Sequence, residues 1–71
     1  MATLKLRIEG MHGPADEGRI ESALREERGV LGAIANHRDA CAEIEYEDDE
    51  VALDEILATV EGLGYRAVLA G

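Results

Sequence analysis

The order in which two hydrophobic periodicities follow one another constrains this chain more than any other feature. Residues 3–9 alternate apolar and polar side chains, which is the period of a half-buried strand. From Pro14 the apolar side chains recur three and four positions apart, as in an amphipathic helix that we expect to end near Gly29. The two periods recur along the rest of the chain: alternation in 30–37 and 41–47, helical spacing in 53–62, and alternation in 65–69. The predicted order is therefore strand, helix, strand, strand, helix, strand.

The alternation also predicts which side chains face the core. From the last two strands we expect the core to receive Ala42, Ile44, Tyr46, Ala67 and Leu69. Cys41 and the glutamates of the third strand then face outward, where the glutamates could pair with Lys5 and Arg7. The second helix has Ala52 at its cap position, so we expect one capping bond to be missing.

Right-handed crossovers fold this order of elements into a four-stranded antiparallel sheet with both helices on one face. The prediction is a ferredoxin-like α+β sandwich, and residues 1–71 form one domain without a linker or repeat. In this topology the first loop, the hairpin between the second and third strands, and the start of the last strand lie at one edge. If the chain carries a binding or catalytic site, we expect that site at this edge.

The charge of the chain bears on its partners. Seven basic and sixteen acidic side chains give a net charge of −9, which repels phosphate backbones and anionic lipids. We therefore expect neither nucleic acid nor a membrane surface as partner. Since no apolar run approaches the ~20 residues of a membrane span and no signal-peptide core follows Met1, we expect a cytoplasmic location. The acidic surface fits either a protein adapted to concentrated salt or an ordinary acidic domain.

The chemistry-bearing residues give little basis for an enzyme. Cys41 is the single cysteine, so one chain cannot form an internal disulfide or a site of two thiolates. The acidic run 48–50 has no groove in which a pKa could shift, and a Cys41–His37 pair would lack a third, orienting group. We predict that the chain is not an enzyme.

Five short segments together resemble the heavy-metal-associated domains of soft-metal chaperones and of the N-terminal modules of copper-transporting ATPases. These segments, which span nearly the whole chain, are Ile8-Glu9-Gly10-Met11, Ile20-Glu21-Ser22-Ala23-Leu24, Gly29-Val30, Ala42-Glu43-Ile44-Glu45-Tyr46 and Gly64-Tyr65-Arg66-Ala67. The resemblance implies the same fold and a loop in which two cysteines, separated by two residues, hold Cu(I). Those two positions are Gly13 and Asp16 here. A glycine offers no side-chain ligand and a carboxylate prefers hard ions, so the thiolate site does not carry over.

Two functions remain open on these residues. One is an interaction or regulatory module in which native metal binding is lost, weak or altered, with a metal-transporting ATPase or another protein as partner. The other is a metal carrier in which substitute ligands at the same edge hold copper or zinc: His12, Asp16, His37 and Cys41. The plainer roles of these four residues are an exposed loop histidine, support of a helix N-terminus, a histidine at the rim of the core, and a free thiol. Whether the chain is a monomer or a dimer stays open.

Overall fold

The computed structural model describes residues 1–70 and has the predicted order of elements. The elements are β1 (Ala2–Glu9), α1 (Pro14–Arg25), β2 (Val30–Asn36), β3 (Cys41–Tyr46), α2 (Leu53–Gly62) and β4 (Arg66–Leu69). The strands form one antiparallel sheet in the order β2-β3-β1-β4. The ferredoxin-like sandwich predicted from the sequence is confirmed.

The core lies between the sheet and the two helices. Alternate residues of β1 and β3 are buried, including Leu6, Ile8 and Ile44, which are fully inaccessible. Ile20 and Leu24 on α1 and the equally buried Ile56 and Val60 on α2 close the other side. Helical and strand periodicities therefore meet in a single hydrophobic cluster. The other side of the sheet carries the exposed residues of the strands, and we call it the open face.

Three details of the fold differ from what the sequence suggests. Helix α1 ends at Arg25 rather than near Gly29, because residues 26–29 form a turn in which Gly29 has a φ of +94°. Leu69 lies opposite the buried Leu6 and so faces the helix side as expected, but it is 55% exposed because it is the last residue of an edge strand. Lys5 lies opposite Glu43, but within residues 1–70 neither makes an ion pair shorter than 4.0 Å.

Helix α1 covers the outer edge of β2 with three side chains one turn apart. The Arg25 guanidinium donates to the carbonyl oxygen of Ala33 at 2.8 Å, and Glu21 accepts the Ala35 N–H at 2.9 Å. Glu17 accepts the N–H of His37, just beyond the strand. These bonds satisfy backbone groups that an edge strand would otherwise offer to another chain.

Candidate metal-loop site

The candidate site is the loop of residues 10–13 together with the first turn of α1. Gly10 has a φ of +110°, and a Cβ atom there would lie 3.2 Å from Cδ1 of Tyr65, so the loop packs closely on that ring. Gly13 is the N-cap of α1 in an extended conformation, and Pro14 follows at the first helical position. A Cβ atom at Gly13 would meet no atom within 4 Å, so its side faces open space.

The carboxylate of Asp16 connects this loop to the start of β4. Its Oδ2 accepts the backbone N–H of His12 at 2.8 Å, and its Oδ1 accepts the hydroxyl of Tyr65 at 2.5 Å. The Tyr65 hydroxyl, and next the His12 N–H, hold the pKa of Asp16 below its ordinary value. The same bond, with burial, raises the pKa of Tyr65. Both oxygens of Asp16 are thus engaged within the chain.

Two further side chains support the Tyr65 ring and the loop. Tyr65 is 7% exposed, and the guanidinium carbon of Arg19 lies 5.8 Å from the centre of its ring. Met11 packs against the core cluster from the loop side. Tyr65 is thus part of the buried core, and Met11 is partly buried against it.

His37 lies in the turn after β2 and contacts a residue that the sequence analysis did not select. Its backbone N–H donates to Oε2 of Glu17 at 2.7 Å, and its Nδ1 lies 2.7 Å from the same oxygen. The His37 N–H, and next the ring, lower the pKa of Glu17. The ring is partly buried, with 26% of its side chain exposed, as expected for the rim of the core.

Cys41 is the first residue of β3 and lies on the open face. It is a partly buried free thiol, opposite Arg7 on β1 and Asn36 on β2. A shallow depression beside it is lined by Lys5, Arg7, Asp39, Cys41 and Ala70. The prediction of an outward, free Cys41 is confirmed.

The structure does not gather the four predicted ligands into one cluster. His12 and Asp16 are in contact, His37 contacts Glu17, and Cys41 lies on the open face. Over residues 1–70, no three His, Cys, Asp or Glu side chains are grouped so that they could hold a metal ion. Metal binding by His12, Asp16, His37 and Cys41 stays a prediction.

Sequence reasoning missed two of the contacts that shape this region. Glu17 and Tyr65 are not among the site residues that the sequence analysis predicts. The spacing of Glu17, Glu21 and Arg25, four residues apart, was a visible signal for a polar stripe on α1. Nothing in the sequence identified the Asp16–Tyr65 bond, which joins residues 49 positions apart.

None of the helices in the described part of the chain has the length and apolar character that crossing a membrane requires.

Known proteins resemble this chain in both sequence and structure. No protein-family model matches it. A Staphylococcus aureus (strain JH9) protein described as a copper-exporting P-type ATPase is 34% identical over 65 residues, which make up 92% of this chain and 8% of that protein. The chain therefore spans a small fraction of the curated relatives it matches.

Two solved structures match over nearly their full lengths. The CopZ metallochaperone is 30% identical with a TM-score of 0.91, and the match covers 94% of this chain and all of that one. The N-terminal domain of a potential copper-translocating P-type ATPase from Bacillus subtilis, solved in its Cu(I)-loaded state, is 32% identical with a TM-score of 0.91. That match covers 97% of this chain and 86% of the domain. On the evidence of its fold, its loop and these relatives, the chain belongs to the heavy-metal-associated domain family.

Proposed function

We propose that this chain is a protein-docking and regulatory module of the heavy-metal-associated family whose loop is ordered without metal. The observation that carries the proposal is the Asp16 carboxylate, which bridges the His12 N–H and the Tyr65 hydroxyl. It occupies a position where the family resemblance places a metal-binding cysteine. An internal acceptor thus connects loop, helix and β4 at the place where a metal ion would otherwise do so.

Ligand chemistry supports this reading. Soft ions such as Cu(I) favour thiolates, and the one thiol of the chain lies on the open face rather than in the loop. A hard ion would have to displace the Tyr65 hydroxyl or the His12 N–H to reach Asp16. Gly13 supplies no side chain, so the loop offers one carboxylate that is already bonded.

The named relatives support the choice of partner. They are described as a copper-exporting ATPase, a metallochaperone and an ATPase domain, so we propose a metal-transporting ATPase or another metal-handling protein as partner. A cytoplasmic location belongs to the same proposal, and no catalytic step is proposed. The net charge of −9 disfavours nucleic acids and anionic membranes as alternatives.

The second candidate is a carrier of copper or zinc through substitute ligands. The contact between His12 and Asp16 favours it, because rotation of the exposed His12 ring would add an imidazole beside a carboxylate. His37 and Cys41 would have to join them by movement of the hairpin.

Competition against a Cu(I) chelator, with a parallel zinc titration, separates the two candidates. We expect the parent chain to retain no metal at sub-micromolar affinity. Gly13→Cys with Asp16→Cys should bind one Cu(I) per chain, because Gly13 faces open space and both thiols would lie at a helix N-terminus that favours thiolate. Stoichiometric binding by the parent that His12→Ala or Cys41→Ser abolishes would instead establish the carrier.

A binding measurement tests the docking role directly. The probe is the isolated soluble N-terminal domain of a copper-transporting ATPase from the same organism, followed by chemical-shift changes in this chain with and without a Cu(I) chelator. We expect the same contacts in both conditions, centred on the loop and weakened by Arg19→Glu. Arg28→Glu makes the same charge change at a distant, 91% exposed side chain and should have no effect. Contacts that require Cu(I), or no contacts at all, would overturn the docking role.

A further inference from the structure

The open face has a charge pattern unlike that of the whole chain. Its strands carry Lys5, Arg7, Arg66, Glu9, Glu43 and Glu45, and Asp39 lines the depression beside Cys41, so three positive and four negative charges leave a net charge of −1 there. The chain as a whole carries −9, so most of the excess negative charge lies elsewhere. A nearly balanced face is where two copies of this acidic chain can approach with least repulsion.

The charges of the open face are also arranged in stripes along the strands. The central strand β1 presents Lys5 and Arg7, and its neighbour β3 presents Glu43 and Glu45. The outer strands present apolar side chains, Ile34 on β2 and Val68 on β4, which are 68% and 58% exposed. Across the sheet the order in these rows is apolar, acidic, basic, apolar, and Glu9 opposite Arg66 forms a further charged row at one end.

This order is complementary to itself under one two-fold rotation. We propose that the open face binds the open face of a second copy, with the two-fold axis parallel to the strands and between β3 and β1. The rotation stacks β3 on β1 of the second copy and β2 on β4. Because Lys5 and Glu43 share one register row, each Glu43 then lies over Lys5 of the other copy. The same rotation brings Ile34 over the strand that presents Val68, as in aligned sheet packing.

The other route to a second copy, pairing of sheet edges, is obstructed at β2. Glu21 and Arg25 already bond the outward backbone groups of Ala35 and Ala33, and Glu17 bonds the N–H of His37. Pairing along this edge would have to break these bonds. Face-to-face packing leaves them intact.

The size of the face makes the expected dimer weak. Four strands about 4.8 Å apart, contacting over some six residues, present on the order of 400 Å² per copy. The total of about 800 Å² is below the ~1,200 Å² typical of stable complexes. We therefore expect association near about 0.1 mM rather than a permanent dimer.

Sedimentation equilibrium on the full chain from ~10 μM to ~1 mM tests the proposal, because a dissociation constant near 0.1 mM falls in that range. The average mass should rise toward that of a dimer. Lys5→Glu alone and Glu43→Lys alone should each weaken association at least about tenfold, because each variant opposes like charges at both symmetry-related contacts. An equimolar mixture of the two variants makes both contacts attractive again and should restore the parent affinity within about threefold.

Two control variants reproduce the changes in net charge away from the open face. Arg28→Glu matches the charge change of Lys5→Glu, and Glu61→Lys matches that of Glu43→Lys. Both should associate like the parent. A parent that stays monomeric to ~1 mM overturns the proposal and leaves the face for a different partner. Association that the Lys5 and Glu43 variants do not weaken, or a mixture that fails to associate while circular dichroism shows both chains folded, overturns it as well.

Discussion

Gly29→Ala is expected to reduce the free energy of unfolding by about 2–5 kcal/mol. The backbone at Gly29 has a φ of +94°, a left-handed conformation that costs a residue with a side chain roughly 1–2 kcal/mol. The added Cβ would also lie 2.9 Å from Cγ1 of Val51 and 3.0 Å from Cβ of Glu50. Val51 is 4% exposed and belongs to the core, so relieving this overlap costs about 1–3 kcal/mol of overpacking. The Gly29 carbonyl also accepts the Glu47 N–H at 2.7 Å, which limits movement of the turn.

Gly18→Ala is the matched control, because it adds the same methyl group in a different setting. Gly18 lies inside α1, and a Cβ there would meet no atom within 4 Å. Alanine in a helix interior should raise the free energy of unfolding by about 0.5–1 kcal/mol. The two substitutions should therefore move stability in opposite directions.

Urea unfolding followed by circular dichroism measures both variants, with unchanged slopes showing that stability alone has changed. A domain of 71 residues has a total stability of roughly 4–10 kcal/mol, so the loss at Gly29 is a large fraction of the total and the parent is measured alongside both variants. A free energy of unfolding for Gly29→Ala within about 0.5 kcal/mol of the parent value would refute the reasoning. It would mean that the turn can relax away from Val51.

Three other predictions concern the second helix, the site and the charge. Ala52→Ser should stabilise the domain by about 0.5–2 kcal/mol in urea unfolding, because Glu55 already accepts the Ala52 N–H but the cap has no side-chain acceptor of its own. Tyr65→Phe should lower the melting temperature between pH 5 and 9. This difference from the parent should become smaller at pH values below and above that range. Because the pKa of Asp16 is lowered in the folded chain, its contribution to stability is lost as pH falls below 3.8. Because the pKa of Tyr65 is raised, its contribution to stability is lost as pH rises above 10.0. A difference in melting temperature that does not depend on pH would show that the bond between the Tyr65 hydroxyl and Asp16 is not its cause. The parent melting temperature should rise with KCl, mostly below ~1 M, and a flat or falling curve would contradict self-repulsion at a net charge of −9.

The fold was predictable because burial leaves a periodic trace in the sequence. Leu4, Leu6 and Ile8 alternate in β1 and are buried on one side of the sheet. Ile56 and Val60, four residues apart in α2, are buried in the same core from the helix layer. Each element buries one face in a shared core, so local patterns were enough to fix the class of the fold.

The ends of elements were less predictable, because they depend on contacts between distant segments. The sequence places Gly29 near the end of α1, but the helix stops at Arg25 and the turn that follows packs against Val51. Leu69 fits the alternation of β4, yet the position of the strand at the sheet edge leaves it exposed. A periodicity records the preferred face of a residue and not whether another element covers that face.

The site shows the same division between local and distant information. The sequence correctly placed Asp16 in the first turn of α1, where a negative charge suits the helix dipole. The helix dipole favours any acidic residue in the first turn, so it did not indicate that both carboxylate oxygens of Asp16 accept hydrogen bonds. Those partners come from the preceding loop and from Tyr65 at the far end of the chain.

The residues that fix this fold are separate from the residues at the two positions where the family resemblance places metal ligands. Ile20 and Leu24 anchor α1 in the core with no exposed surface, whereas Gly13 and Asp16 lie at the N-terminal end of the same helix. Substitutions at the loop positions therefore need not disturb the core. Asp16 also stabilises the loop, because its carboxylate accepts hydrogen bonds from the Tyr65 hydroxyl and the His12 N–H. A chain of this family can thus keep an ordered loop, and the surface around it, after the thiolate pair is replaced.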